Sequence, residues 1–512
     1  MIKINGDNLT IQEVKSCARE REEVELTAEA EEKIVKSRKQ VEDLIENKSV
    51  VYGITTGFGH FSDTKISPQE VLQLQENLIR SHSAGVGKAI PEEVVRAMML
   101  LRLNALAKGY SGIRLSTINL LKNMLNCGIH PLIPSQGSVG ASGDLVPLAH
   151  MSLVLMGEGK ANFKGEELAG KEALAKCNLK PIQLLGKEGL ALINGTQMMS
   201  AYGSLALADA INLMLHADIS LTLTLEALKG LLDPFNNLVH EVRPHPGQQQ
   251  VAKNVRKLVA NSSLVLTKRE DRVQDPYTLR CAPQVHGASY DSIKHVQEVI
   301  IREINSASDN PLLFAEAEEV ISGGNFHGQP LALSLDYLAL ALAELGNISE
   351  RRIARLVDGN LNFGLPMFLT EHGGLNSGHM IAQYTAASLV SENKLLANSA
   401  SVDSITTSAN QEDHVSMGSI SARKVYQLVK NLTNILAIEF LTAAQAVDLR
   451  TANPQSDLGR GTAIVYKVIR DNIDYLGQDR VLAPDIAALA ALIEQGTVVN
   501  SLEKEGIKLE TC

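Results

Sequence analysis

Apolar and polar positions alternate only at the very start of the chain. Ile2 and Ile4 are separated by polar neighbours, Gly6-Asp7 turns, and Leu9 to Val14 resumes an extended reading. From Thr27-Ala28-Glu29-Ala30 the period lengthens, predicting a charged amphipathic helix to about Asn47. A pair of helices is predicted from Pro91 to about Cys127, broken at 108–112 (KGYSG). Pro131 and Pro134 then stop helix formation. Asp144 and Pro147 stand as N-terminal residues of a helix through His150 and Leu155. Residues 157–188, rich in Gly, Lys and Glu, read as a surface excursion.

After 191–197 (ALINGTQ) the character changes. Long alanine- and leucine-rich helices are predicted to about Lys229 and at roughly 284–306, 331–358, 377–398 and 416–448. Aromatic residues are only 4% and tryptophan is absent, so these helices must pack through small and aliphatic side chains. That suits a mainly α fold, a bundle of long helices. Residues 1–512 are read as one unit, with a smaller mixed N-terminal subregion, 1–193, and a long-helix bundle with C-terminal helices, 194–512.

Composition narrows the class. With 45% hydrophobic and 21% charged residues, the 512-residue chain has a soluble globular balance. A net charge of -10 without a basic run excludes a nucleic-acid partner. Cys17, Cys127, Cys177, Cys281 and Cys512 form neither a disulfide framework nor a CxxC pair, which suits a reducing cytoplasm. The polar amino terminus is not a signal peptide, and the apolar stretch 331–345 contains Asp336 and Glu344, so no membrane association is expected.

Candidate chemistry centres on 137–144, GSVGASGD. Glycine permits backbone conformations that a Cβ forbids. If the Gly143 nitrogen is pressed onto the Ala141 carbonyl carbon, a five-membered ring closes. Loss of water and of the Ser142 hydroxyl then leaves an exocyclic methylidene, an electrophile made from the chain. An ordinary Gly/Ser/Ala loop is the competing reading. A serine-hydrolase elbow fails because Asp144 replaces the last glycine, and the glycine spacing does not fit a dinucleotide fingerprint.

Other stretches carry chemistry of their own. Residues 52–59, YGITTGFG, are a glycine-rich connector without a phosphate-loop lysine. Asn194 is suited to a helix cap, a role compatible with its amide also facing a substrate. In the loop 273–284, Arg280 is a natural clamp for an amino acid carboxylate, holding both oxygens at once. Residues 240–245, HEVRPH, miss the zinc motif H-E-x-x-H by one position, and Pro244 breaks the helix that would align the ligands.

Residues 137–150, GSVGASGDLVPLAH, resemble the signature of the aromatic amino acid ammonia-lyases, and five further stretches from residue 52 to beyond 410 are similar to that family. The resemblance implies a methylidene-imidazolone (MIO) group formed from Ala141, Ser142 and Gly143, with no external cofactor and no metal. It implies that Tyr52 overhangs that group, that Asn194 contacts the substrate or the MIO carbonyl, and that Gln274 and Tyr277 face both. Phe326 is implied to line the pocket. Ser81-His82 resembles the histidine-selective members, where tyrosine-selective ones have His-Leu and phenylalanine-selective ones Phe-Leu. Glu412 stands where phenylalanine- and tyrosine-selective members have glutamine.

A carboxylate facing a bare phenyl ring is desolvated without a partner, whereas facing an imidazole N–H it gains a charge-assisted hydrogen bond. His82 and Glu412 together imply elimination of ammonia from L-histidine to give trans-urocanate, with Tyr52 removing the β-proton. A tyrosine or phenylalanine lyase or aminomutase is the nearest alternative. An inactive helical scaffold and a metal-dependent hydrolase stand further off. Attack on the methylidene by the substrate amine or by its imidazole both remain open. The family further implies a fumarase/aspartase-like helical architecture and a homotetramer whose active sites draw on several subunits.

Overall fold

The computed structural model describes the chain except for residues 48, 50, 55, 58, 60–65, 67–69, 268–271 and 512. Thr55 and Phe58 of the 52–59 connector, and Cys512, therefore lie outside the described residues. Two compact units emerge, each assembled from three segments: 1–208, 297–336 and 399–423 in the first, 209–296, 337–398 and 424–512 in the second.

In the first unit, Ile2–Ile4 is a strand, paired in parallel with Val24–Leu26. The extended reading of Leu9 to Val14 is wrong, because Ile11–Arg19 is a helix. Thr10 and Glu13 form a capping box, and Ile11, Val14, Cys17 and Ala18 give the buried face. The helix Ala28–Glu46 begins as expected, Thr27 Oγ1 accepting from the Ala30 N–H at 3.2 Å. Glu92–Ala107 and Leu115–Cys127 are the expected pair, and every side chain from Val94 to Ala107 is buried. A helix buried on all sides has no solvent face, so its two arginines must be satisfied internally. Arg96 donates to the carbonyls of Cys17 and Leu125.

The two proline stops sit in short strands. Ile129–Pro131 pairs with Lys160–Phe163, and Pro134–Gln136 with Val86–Ala89. The surface excursion supplies Lys160–Phe163 and Glu166–Ala169 to one small antiparallel sheet.

The long helices appear at Gln197–Ala227, Ala282–Ile304, Gln329–Val357, Met380–Leu396 and Gly418–Arg450, close to their expected limits. On length and composition Gln197–Ala227, Gln329–Val357 and Gly418–Arg450 would each cross a bilayer, the second despite Asp336 and Glu344. Here 72%, 67% and 83% of their apolar windows are buried within the protein.

The second unit packs Ile353, Ala382, Ala386, Ile435 and Ile438 into one aliphatic cluster. Among these helices lies a fully buried ionic network. Glu439 accepts from Arg352 Nε and Nη2 and from the hydroxyls of Ser220, Thr224 and Ser349. Arg352 Nη1 also donates to His286 Nε2 at 3.2 Å. Arginine can only donate, so the His286 proton resides on Nδ1 and is given to Asp218 Oδ1 at 2.9 Å. Tyr290 and Asn254 donate to Asp218 Oδ2.

Candidate active site

The strand Pro134–Gln136 delivers the chain into the glycine-rich loop. Two positions there admit no side chain. Gly140 has φ +68° and a Cβ would stand 2.3 Å from Ser416 Oγ, while Gly143 has φ +69° and a Cβ would stand 2.2 Å from the Gly195 carbonyl oxygen. The crowding reflects two clamps. On one side Ser416 Oγ donates to the Gly140 carbonyl at 3.0 Å, the Met417 N–H to Val139 at 2.9 Å and Ser419 Oγ to Ser138 at 2.6 Å. On the other, Gly143 pairs with Gly195, and the Asp144 N–H donates to the Gly195 carbonyl at 2.7 Å.

Between these clamps Ser142 Oγ donates to Asn194 Oδ1 at 2.9 Å. Asn194 is 1% exposed and follows the short helix Glu188–Ile193 at its C-terminal cap, not at the N-terminal cap its residue type suggests. Its Nδ2 donates to the Asn310 carbonyl at 3.2 Å. A carbonyl can only accept, which fixes the amide with its oxygen toward Ser142.

Asp144 opens Leu145–Leu155 but makes no side-chain cap to it. Its carboxylate accepts instead from the Met199 N–H at 2.9 Å, in the first turn of Gln197–Ala227. Full burial pushes the Asp144 carboxyl up to about 7, opposed by the Met199 and Met198 amides and reinforced by Glu303. Glu303, also raised by burial, accepts from Thr196 Oγ1.

Four further candidates belong to the same unit. Tyr52 is half-buried, its phenol oxygen accepting from the Gly59 N–H at 3.3 Å. His82 ends the helix Val71–His82, its Nδ1 3.1 Å from Ser81 Oγ. Burial pulls the His82 imidazolium down, while a backbone hydrogen bond and the Glu412 carboxylate pull the other way. The structure thus places His82 in the field of Glu412, 330 residues later in the chain. Glu412 exchanges both backbone hydrogen bonds with Thr407, whose Oγ1 donates to Glu412 Oε2 at 2.8 Å. Phe326 is half-buried, and the adjacent His327 ring stacks on His414 at 5.9 Å and 7°. The sequence reading did not single out Arg102, Lys187, Asp309, Asn310, Ser416 or Ser419, which surround Asn194 and the loop. No motif marks them, because each acts through a backbone carbonyl or another side chain.

Gln274, Tyr277 and Arg280 lie in the second unit. The segment expected to be a loop holds one helical turn, Tyr277–Arg280, started by Pro276. Gln274 is exposed and Tyr277 is 69% exposed. The Arg280 guanidinium lies 4.4 Å over the Tyr277 ring, and its Nε donates to the Asp275 carbonyl at 2.8 Å. The zinc-like stretch is committed elsewhere: His240 Nε2 contacts the Pro234 carbonyl at 3.0 Å and Nδ1 contacts Gln248 at 2.9 Å.

Residues 9–471 match the family model described as aromatic amino acid lyase. A histidine ammonia-lyase from Natranaerobius thermophilus is 55% identical over 504 residues, covering 98% of this chain and 99% of the relative. One from Caldanaerobacter subterraneus subsp. tengcongensis is 55% identical over 509 residues, covering 99% of each. Among solved structures, histidine ammonia-lyase from Trypanosoma cruzi superposes with a TM-score of 0.92 at 42% identity, covering 98% of this chain and 95% of that one. Tyrosine aminomutase from Streptomyces globisporus gives 0.95 at 38% identity, covering 99% and 100%. With near-complete coverage on both sides and the family model spanning most of its length, the chain belongs to the aromatic amino acid lyase family.

Proposed function

We propose that this chain eliminates ammonia from L-histidine to give trans-urocanate, a carbon–nitrogen lyase reaction without oxidation or reduction. The observation that carries the substrate is the Glu412 carboxylate, braced by Thr407 Oγ1 and exerting its charge on the His82 imidazole. An imidazole N–H satisfies that carboxylate, and a phenyl ring leaves it desolvated at a cost of roughly several kcal/mol. Relatives at 54–55% identity that bear the name histidine ammonia-lyase support the same choice.

The residues present fit an MIO group at 141–143. Gly143 accepts no side chain against Gly195, Ala141 is buried, and Ser142 Oγ is already engaged by Asn194. In closure the Gly143 nitrogen bonds to the Ala141 carbonyl carbon, and that oxygen leaves as water with the Gly143 and Ser142 amide protons. The Ser142 hydroxyl leaves as a second water with the Ser142 α-proton, and no electron acceptor is needed. The resulting group supplies an electrophilic carbon at position 142 that assists departure of ammonia. Tyr52 takes the β-proton, its phenol oxygen held by the Gly59 N–H, and Arg280 holds the substrate carboxylate.

The assembly is a homotetramer in the cytoplasm, each active site drawing on more than one subunit. Exposed Leu333, Tyr337 and Leu340, on one face of Gln329–Val357, and the presentation of Gln274, Tyr277 and Arg280 on an exposed segment support that assembly.

The purified protein is incubated separately with L-histidine, L-tyrosine and L-phenylalanine, following acrylate absorbance and ammonia release. Urocanate from histidine alone is the expected result. Product only from tyrosine or phenylalanine would overturn the substrate and keep the chemistry, and silence with all three would overturn both.

A further inference from the structure

A buried guanidinium lies beneath the turn that carries Asn194. Arg102 is 0% exposed within Glu92–Ala107. Its Nη1 donates to the Asn194 carbonyl at 3.1 Å, Gln197 Oε1 at 2.8 Å and the Ser308 carbonyl at 3.3 Å, and its Nη2 to the Ala191 carbonyl. A Cβ on Gly195 would stand 2.4 Å from Nη1, so the guanidinium reaches its acceptors only because residue 195 is glycine. A second buried cation holds the far side of Asn194. Lys187 Nζ pairs with Asp309 Oδ2 at 3.0 Å and reaches the Asn310 carbonyl at 3.4 Å, the same carbonyl that accepts from Asn194 Nδ2.

Among the described residues the hydrogen-bond acceptors of Arg102 are three backbone carbonyls and one side-chain amide, with no carboxylate. Burial lowers the guanidinium to about 10, with Asp309 opposing, so it stays charged at neutral pH. An apolar side chain of similar volume would fill the site at lower desolvation cost, so stability alone does not account for a cation here. What distinguishes the place is its neighbours. Asn194 receives the Ser142 hydroxyl, and Gly195 is the residue on which Gly143 is laid.

We infer that Arg102 is a positioning residue for ring closure at 141–143 and for Asn194 in the matured site. The inference rests on the proposed function. Closure requires the Gly143 nitrogen to approach the Ala141 carbonyl carbon, and the second clamp, formed by the Gly143 pairing and the Asp144 N–H bond, runs to Gly195. A displacement of about 1 Å costs a reaction of this kind roughly 100-fold.

Full-length wild type, Arg102→Lys, Arg102→Met and Gln197→Met are compared by peptide mass across 141–143, helical circular dichroism, thermal transition, kcat and KM. Wild type is expected to lack two waters. Arg102→Lys keeps the charge but replaces the fork with one nitrogen. It should leave most tripeptides uncyclised and lower kcat by about 100-fold, with KM of the matured fraction within about threefold. Gln197→Met, which removes one Nη1 acceptor, should shift maturation the same way by less. A purely structural role would lower the thermal transition and leave the loop mass of the folded protein unchanged. Full maturation with kcat within about twofold of wild type in Arg102→Lys overturns the inference. Should neither Arg102 variant fold, unchanged maturation in Gln197→Met overturns it. A wild-type loop that retains both waters overturns the proposed function, and this inference with it.

Discussion

Glu439→Gln removes the charge at the centre of the second unit while keeping the side-chain shape. In the native chain that carboxylate receives five donors, two of them from Arg352, and both partners are 0% exposed. Burial alone would push the Glu439 carboxyl up. The Arg352 guanidinium and the hydrogen bonds outweigh it and hold the carboxyl below its usual range. The variant leaves Arg352 buried with only neutral partners, which costs about 3–5 kcal/mol. At roughly 2–4 °C per kcal/mol for a domain of this size, the thermal transition should fall by about 6–20 °C. Far-ultraviolet circular dichroism on wild type, Glu439→Gln, Arg352→Met and the double variant Arg352→Met/Glu439→Leu measures it. The double variant should lose less than the two single losses added, because it strands no charge. The sign with pH follows from the depressed carboxyl: the stabilisation is present above the unfolded pKa and is lost as pH falls through the folded one. A shift under about 2 °C in Glu439→Gln would refute the idea that this pair is desolvated and mutually dependent.

Ser142→Ala should abolish turnover and leave the helical spectrum and thermal transition unchanged; near-normal activity in that variant would remove the MIO assignment. Glu412→Gln should lower histidine turnover by about 10- to 100-fold, the worth of one charge-assisted hydrogen bond, with little change in thermal transition. Equal losses of both would make it a structural residue. Glu226 is a buried carboxyl pushed up to about 7 by burial, against hydrogen bonds from Ser262, Thr462 and the Gly459 N–H. Because its folded pKa exceeds its unfolded one, stability held in acid is lost as pH rises from about 4.5 through 7, by up to about 3 kcal/mol. Glu226→Gln should flatten that slope in unfolding measured from pH 4 to 8, and an unchanged slope assigns it to other groups.

The long helices were legible because alanine and leucine recur at helical spacing: Pro283 and Pro330 fall in first turns, and Gly203, Gly287 and Gly346 do not break the period. Leu9 to Val14 misled because two apolar residues two apart imitate a strand. The corrective signal, Thr10 followed by Glu13, was present in the sequence as a capping box. Short strands at Ile129–Pro131 and Pro134–Gln136 were masked by prolines, which sheets tolerate at edges. Asp144 shows where local reading ends. Its position marks the start of one helix, yet its carboxylate serves another that begins at Gln197, and only the fold determines which amides it meets. Ser142 and Asn194 meet for the same reason: no local period encodes a contact across 52 residues.

The clamp on the glycine loop also sets a clock on the protein's own synthesis. Ser416 holds Gly140 from 276 residues further along the chain. At about 5–20 residues per second, the ribosome delivers that serine roughly 14–55 s after the loop it must grip. On the proposed chemistry, a nascent chain carries an inert serine throughout that interval and becomes reactive only once its distant part has arrived and packed. On the same proposed chemistry a matured loop is two waters lighter, so the mass of residues 141–143 would report which molecules have folded far enough to close the ring.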